Sequence, residues 1–307
     1  MTHALPQLAD AVFLTDSGLE TDLLFSGGWD LPDFAAYPLL EHDAGRAALR
    51  AYVDDHLAVA RQAGLGIVVE TPTWRASSDW GSRLGHDAGA LAALNRRGAE
   101  LVDEARRAAD EVPVVVSGCL GPRGDGYVPG AGMTPAEAAD YHRPQVEAFA
   151  DTPVDLVTAL TLTGVGEAVG VVRAAQAVDL PVVVSFTVET DGRLPDGTPL
   201  GDAVRAVDDA TGGAAAYFMV NCAHPDHLAP ALDPAADWWP RLRGVRANAS
   251  RLSHAELDAA PELDAGDPDE LARQLADLHR LGVTVLGGCC GTDVRHIRAL
   301  AREVGRR

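Results

Sequence analysis

Short runs rich in Val, Leu and Ala alternate along the chain with longer stretches in which apolar residues recur every three to four positions. The short runs are Val12–Thr15, Gly66–Glu70, Val112–Ser117, Val154–Leu160, Pro181–Phe186, Ala215–Val220, Leu242–Ala247 and Val283–Gly287. They are near-continuously apolar, the pattern of parallel strands covered on both faces. Between them the helical period predicts helices at about Ala44–Ala63, Asp87–Ala109, Thr134–Phe149, Val165–Ala177, Leu200–Asp209, Pro225–Leu232, Asp267–Leu281 and Thr292–Val304. Thr134-Pro135-Ala136-Glu137 reads as a helix start, with a capping Thr, Pro at the first helical position and Glu three residues after the cap. Asp267-Pro268-Asp269-Glu270 opens another in the same way. Eight strand–helix units in succession predict a (β/α)8 TIM barrel rather than an open sheet. The segment Asp16-Ser17-Gly18-Leu19-Glu20 after the first strand does not match the Gly-rich dinucleotide fingerprint. No linker interrupts the alternation, so one domain over residues 1–307 is expected. The Gly/Pro stretches Gly118–Gly132 and Asp191–Gly201 are long loops that a barrel places on its catalytic face.

Composition narrows the function. Of the 307 residues, 47% are hydrophobic and 23% charged, which suits a chain with a large core. No apolar run approaches the ~20 residues of a membrane-spanning helix. The N-terminus lacks a basic segment followed by an apolar one, so no secretory signal is expected and the cytoplasm is the expected location. The acids number 45 against 25 basic residues, all of them Arg, for a net charge of -20. Such a surface repels nucleic-acid phosphates and anionic membranes, so neither is expected as a partner. A coding bias towards Arg and an adaptation to high salt both account for the missing Lys.

The residues at the strand ends carry the candidate chemistry. Asp16 ends the first strand, Glu70-Thr71 the second, Asn221-Cys222 the sixth and Gly288-Cys289-Cys290-Gly291 the eighth. One strand separates the sixth from the eighth, so Cys222 can meet Cys289 and Cys290 at the barrel mouth. Glycines around the Cys pair let two consecutive side chains turn to one ion. Three thiolates suit zinc and leave a fourth position open, the mark of a catalytic rather than a structural site. Other readings stand beside this one. The Gly291-Thr292 helix start would suit a phosphate. Metal-bound water would serve a lyase or hydrolase, and a barrel that only binds zinc or a thiol would show no turnover. Asp16 is alternatively a loop cap, Trp74 a rim aromatic and Cys119 a small buried apolar residue.

Val285-Leu286-Gly287-Gly288-Cys289-Cys290-Gly291-Thr292, followed by His296-Ile297-Arg298, closely resembles the zinc-dependent homocysteine S-methyltransferase family, as does Val220-Asn221-Cys222-Ala223-His224-Pro225. The resemblance runs nearly end to end: Thr15-Asp16-Ser17-Gly18, Thr71-Pro72-Thr73-Trp74-Arg75-Ala76-Ser77, Gly118-Cys119-Leu120-Gly121-Pro122 and Ser185-Phe186-Thr187 also match family elements. It implies a zinc enzyme in which the sulfur of homocysteine takes a methyl group to give methionine. Its partners would be a small-molecule thiol acceptor and a methyl donor such as S-methylmethionine, S-adenosylmethionine or a betaine. It assigns Cys222, Cys289 and Cys290 as metal ligands and Asp16 to the substrate amino group. Trp74 would stand near a cationic donor, and Asn221 would shape the site beside the metal. Ala159-Leu160-Thr161 stands where the family commonly has Phe-Glu-Thr. That Glu would help hold the acceptor's ammonium and Leu160 cannot, so the departure points to a different thiol as acceptor, or to a carboxylate supplied from elsewhere, for instance by Glu70 or Glu189.

Overall fold

Strands that are apolar on both faces need one cover inside and another outside, and a closed barrel ringed by helices supplies both. The computed structural model describes residues 5–9, 11–109, 111–128, 132–260 and 262–305. Its strands are β1 (Phe13–Thr15), β2 (Gly66–Glu70), β3 (Val114–Leu120), β4 (Leu156–Leu162), β5 (Val182–Phe186), β6 (Tyr217–Ala223), β7 (Leu242–Ala247) and β8 (Val285–Gly288). They are parallel and close in sequence order, with Phe13 of β1 in register with Val285 of β8. The helices are α1 (Leu19–Thr21), α2 (Asp43–Ala63), α3 (Ser78–Arg83), α4 (Ala88–Arg107), α5 (Pro135–Ala150), α6 (Val165–Gln176), α7 (Leu200–Thr211), α8 (Pro225–Leu228), α9 (His254–Ala259), α10 (Pro268–Arg280) and α11 (Val294–Val304). Both expected helix starts are present: Thr134 and Glu137 form a reciprocal capping box, and the Asp267 side chain accepts from the Asp269 and Glu270 N–H groups.

The barrel interior is layered. Phe13, Val68, Val115, Leu156, Val183 and Val285, with Tyr217 and Met219 of β6, form an apolar cluster. Two residues further along a strand the chain returns to the same face, and there the layer turns polar. Glu70, Ser117, Thr158, Ser185, Asn221 and Arg246 are all buried at this level.

Three strands run further towards the barrel mouth than their apolar runs predict. β3 continues past Ser117 to Leu120, β4 past Leu160 to Leu162 and β6 past Val220 to Ala223. The residues involved, such as Asn221 and Cys222, are not strand-like in composition, but their neighbours still pair: Leu162 with Phe186 and Ala223 with Ala247. The helix expected over Pro225–Leu232 stops at Leu228 and gives way to a 3-10 turn, Ala229–Ala231. Pro230 lacks the N–H that a continuing helix needs. Of the stretch Gly118–Gly132, residues 118–120 belong to β3 and 129–131 lie outside the described residues. The Asp191–Gly201 stretch lines a separate pocket with Trp238 and not the main cavity.

Candidate active site

The Sγ atoms of Cys222, Cys289 and Cys290 all lie within 4.8 Å of one another. The Cys222–Cys290 separation is 3.8 Å, far beyond a disulfide, and all the cysteines are free. Metal–sulfur arms of about 2.3 Å in tetrahedral geometry require sulfur–sulfur edges of about 3.8 Å, so the donor set fits zinc in both chemistry and spacing. Two backbone devices bring the sulfurs together. In β6, the register shifts between Asn221 and Ala223, and Cys222 sits at φ 55. This bulge turns the Cys222 side chain into the mouth, in a left-handed conformation that costs a non-glycine residue on the order of 1–3 kcal/mol. After β8, Gly291 at φ 79 turns the chain, and the Thr292 N–H and hydroxyl both donate to the Cys289 carbonyl, at 3.1 and 2.7 Å. A Cβ on Gly288 would fall 2.0 Å from Thr292 Oγ1, so the turn closes only on a glycine.

The strained Cys222 is pinned through its carbonyl. That oxygen accepts from His254 Nε2 at 2.8 Å and from Asn248 Nδ2 at 3.1 Å. The His254 ring stacks on Tyr127, with centroids 4.1 Å apart, and the Tyr127 hydroxyl donates to Cys290 Sγ at 3.5 Å. One chain of contacts therefore runs from the backbone of one cysteine to the sulfur of another. Asn221 is fully buried beside them: its Oδ1 accepts from Ser185 Oγ and the Thr161 N–H, each at 2.7 Å, and its Nδ2 donates to Thr161 Oγ1 at 2.8 Å and lies 3.7 Å from Cys289 Sγ. Thr161 is also left-handed, at φ 62, where the β4–β5 register shifts. Hydrogen bonds from the Cys222 and Cys290 thiols, together with Arg246 and Asn221, hold Cys289 well below the usual thiol range, while its neighbours are pushed up. Within the cluster, negative charge is therefore favoured on Cys289.

The sulfurs face a cavity of about 320 Å³ whose other walls include Asp16, Glu20, Glu70, Trp74, Arg75, Cys119 and Leu160. Asp16 and Glu70 do not stand free in it. Buried Arg246 lies between them, 2.6 Å from Asp16 and 3.7 Å from Glu70, and also donates to the Gly288 and Ser17 carbonyls. Burial raises the Asp16 carboxyl, against the pull of Arg246. It pushes Glu70 up to about 8 despite Arg246 and the hydroxyls of Ser117 and Thr158. Glu20 is half-buried, and burial, with negative charge on Cys289 and Asp16, pushes it up to about 7. Arg75 is 6% exposed and stacks on Trp74 and Trp80, 4.0 and 3.6 Å from the ring centroids. It donates to the Gly124 carbonyl, and its buried Nε has no partner. The neighbouring acid, Asp125, accepts instead from the Tyr127 and Val128 N–H groups.

The sequence pattern of a family described as homocysteine S-methyltransferase matches residues 14–304. The chain belongs to the homocysteine S-methyltransferase family. It is 27% identical over 264 residues to betaine–homocysteine S-methyltransferase 1 of Rattus norvegicus, covering 77% of this chain and 60% of that protein. It is 27% identical over 208 residues to S-methylmethionine–homocysteine S-methyltransferase BHMT2 of Pongo abelii, covering 59% and 56%. The chain thus spans about three-fifths of the length of these curated relatives. The crystal structure of the homocysteine methyltransferase MmuM from Escherichia coli in its oxidized form superposes with a TM-score of 0.79 at 25% identity, covering 97% of this chain and 98% of that one. Its metallated form gives 0.77 at 23%, covering 95% and 96%, a likeness of fold.

Within this homocysteine S-methyltransferase fold, Cys222, Cys289 and Cys290 come together as expected, and Asp16, Trp74 and Asn221 all line the same cavity. The Cys119 thiol is buried in the wall but stands outside the sulfur cluster. The α11 start does not suit a phosphate, because the Asp293 carboxylate caps it and accepts from the Arg295 N–H. Glu189 is engaged with His254 at 3.1 Å. Arg246, Glu20, Arg75, Tyr127 and His254 were missed. Two Arg in the otherwise apolar run Leu242–Ala247 were the signal for the first, and Ser253 with Glu256, a capping box that opens α9, was the signal for the last.

Proposed function

We propose that this protein is a zinc-dependent S-methyltransferase that moves a methyl group from a sulfonium or quaternary ammonium donor to the thiol of homocysteine. The observation that carries the reading is the sulfur triad, spaced as one face of a tetrahedron and open to the cavity on the fourth side. Cys222, Cys289 and Cys290 would hold the metal. Zinc held there lowers the pKa of a thiol arriving from the open side, so that sulfur is available as the stronger nucleophile. In the transfer the acceptor sulfur forms a bond to the methyl carbon. The methyl–sulfur or methyl–nitrogen bond of the donor breaks, and its electron pair leaves on a neutral sulfide or amine. The acceptor's proton is released to solvent.

The chain's own residues orient the partners. Asn221 fixes the Cys289 sulfur, and the His254–Tyr127 stack fixes Cys222 and Cys290. Trp74 offers an aromatic wall for a methylated sulfonium or ammonium, but Arg75 already covers part of that indole. A wall presenting an indole beside a guanidinium suits a donor that carries a carboxylate as well as its cation. Betaine and S-methylmethionine, the donors named for the relatives, both do. A single barrel domain and a reducing, cytoplasmic location, which keeps the three sulfurs as thiols, belong to the same proposal. Incubating the zinc-loaded protein with homocysteine and each donor, followed by mass spectrometry, tests it: methionine forms with at least one carboxylate-bearing donor. Methylation of no thiol by any donor overturns it.

A further inference from the structure

The cavity's charges do not all pair with one another. Asp16 and Glu70 share Arg246. Glu189 is held by His254, outside the cavity wall. Leu160 contributes an apolar surface. Of the two remaining cavity acids, Asp125 is taken up by the Tyr127 and Val128 N–H groups, whereas Glu20, among the described residues, has no ion pair and no side-chain donor, and Arg246 and Arg75 act on it only from beyond ion-pair distance.

Its placement is fixed by the backbone rather than by its own contacts. The Gly18–Thr21 segment is laced to the cysteine turn. The Gly18 N–H reaches the Thr292 carbonyl at 3.3 Å, and the Gly291 N–H donates to Thr21 Oγ1 at 3.2 Å. The packing is so close that a Cβ on Gly18 would lie 2.4 Å from the Cys289 carbonyl. Glu20 is therefore carried on the same rigid piece of structure as two of the three sulfurs, close enough to feel the charge on Cys289.

A thiol amino acid seated with its sulfur at the triad has its ammonium four bonds away, roughly 4–6 Å along the chain. An ammonium there would meet a half-buried carboxylate that has no ion-pair partner among the described residues, and would supply one. We propose that Glu20 is the residue that binds the α-ammonium of the acceptor, and so selects an amino-acid thiol over a simple one. This rests on the thiol methyltransferase reading above and names the specificity determinant of that site. Asp16, held by Arg246, then acts as the fixed negative background rather than as the direct partner.

The test compares homocysteine with 4-mercaptobutyrate, which keeps the sulfur and the carboxylate and lacks the amino group. Binding is measured by titration calorimetry, and initial rates are measured beside it, for zinc-loaded wild type, Glu20→Gln and Glu20→Ala. Zinc content is checked in each. The wild type binds homocysteine more tightly than 4-mercaptobutyrate, and in both variants that preference shrinks by roughly ten- to a hundredfold, the range of a lost charged hydrogen bond, with zinc still bound. A wild type with no preference, or variants that keep the wild-type preference, overturns the assignment of Glu20 while leaving methyl transfer intact. A wild type that neither binds nor methylates either thiol overturns the functional reading itself.

Discussion

The wall built from β6 and β8 presents three sulfurs and an amide to the cavity, whereas the wall built from β1, β2, β4 and β7 presents three carboxylates, an indole, two guanidinium groups and a leucine. On the first wall every departure from regular strand serves one geometry: the bulge at Cys222 and the turn at Gly291 aim sulfurs at a common point. The second carries an irregular assortment of charge, part of it neutralised through Arg246, and its backbone departs from regular strand at Thr161 of β4. The contrast separates two tasks. Under the proposed function, the sulfur wall would define what reaction can occur and the charged wall which molecules are admitted to it. Changes on the first should abolish activity with every substrate pair. Changes on the second should alter stability and preference.

The largest effect is expected on the sulfur wall. Replacing Cys222, Cys289 or Cys290 by Ala leaves two sulfurs, and bound zinc and methyl transfer should disappear together with all donors and acceptors. The far-UV circular dichroism should stay that of the wild type, because the apolar layer of the barrel is independent of the triad. Retained zinc in any of the three, measured by atomic emission, would break the comparison at its root. On the charged wall, Arg246→Met removes the cation between two buried acids and should destabilise the fold by about 3–5 kcal/mol, read from denaturant unfolding. A loss within error of zero would mean that Arg246 does not neutralise that wall.

These two predictions differ in how far the sequence anticipated them. Eight Val-rich runs were enough to place eight strands, and Asn221-Cys222 and Gly287–Gly291 were enough to bring three sulfurs together. The positive φ of Thr161 and Cys222 left no mark, because neither is a glycine and a bulge adds no characteristic residue. The charge network was equally hidden: Arg246 reads as one residue of a buried strand, and only closure of the barrel carries it to Asp16, 230 positions earlier in the chain. Glu20 lies in a segment that matches a family element around it, so the segment was legible while the role of its acid was not.

Two smaller effects sharpen the division. His254→Ala removes a donor from the Cys222 carbonyl and the partner of Tyr127, touching no sulfur. Loss of such support typically lowers metal affinity by about 10–100-fold, measurable by competition with a chelating dye. Unchanged affinity would show that the strained Cys222 holds its position without help. Glu70→Gln tests the charged wall by pH. Burial pushes Glu70 up to about 8 from an ordinary value of 4.5. Between those values the folded chain keeps a proton that the unfolded chain has released, so the group's stabilising contribution is full below about 4.5 and is lost as pH rises towards about 8. The stability of Glu70→Gln relative to wild type should therefore increase across that window, and a difference that does not vary with pH would contradict the assignment.

The central claim, that the three sulfurs hold the metal on which methyl transfer depends, is tested most directly with a donor carrying a deuterated methyl group. The protein is stripped by a chelator, divided and restored with zinc in one half, and the products with homocysteine are weighed by mass spectrometry. Deuterium-labelled methionine is expected only from the restored half, and not from a Cys289→Ala protein treated identically. Labelled methionine at equal rates from the stripped and restored halves, or from the zinc-treated Cys289→Ala protein, would contradict the account.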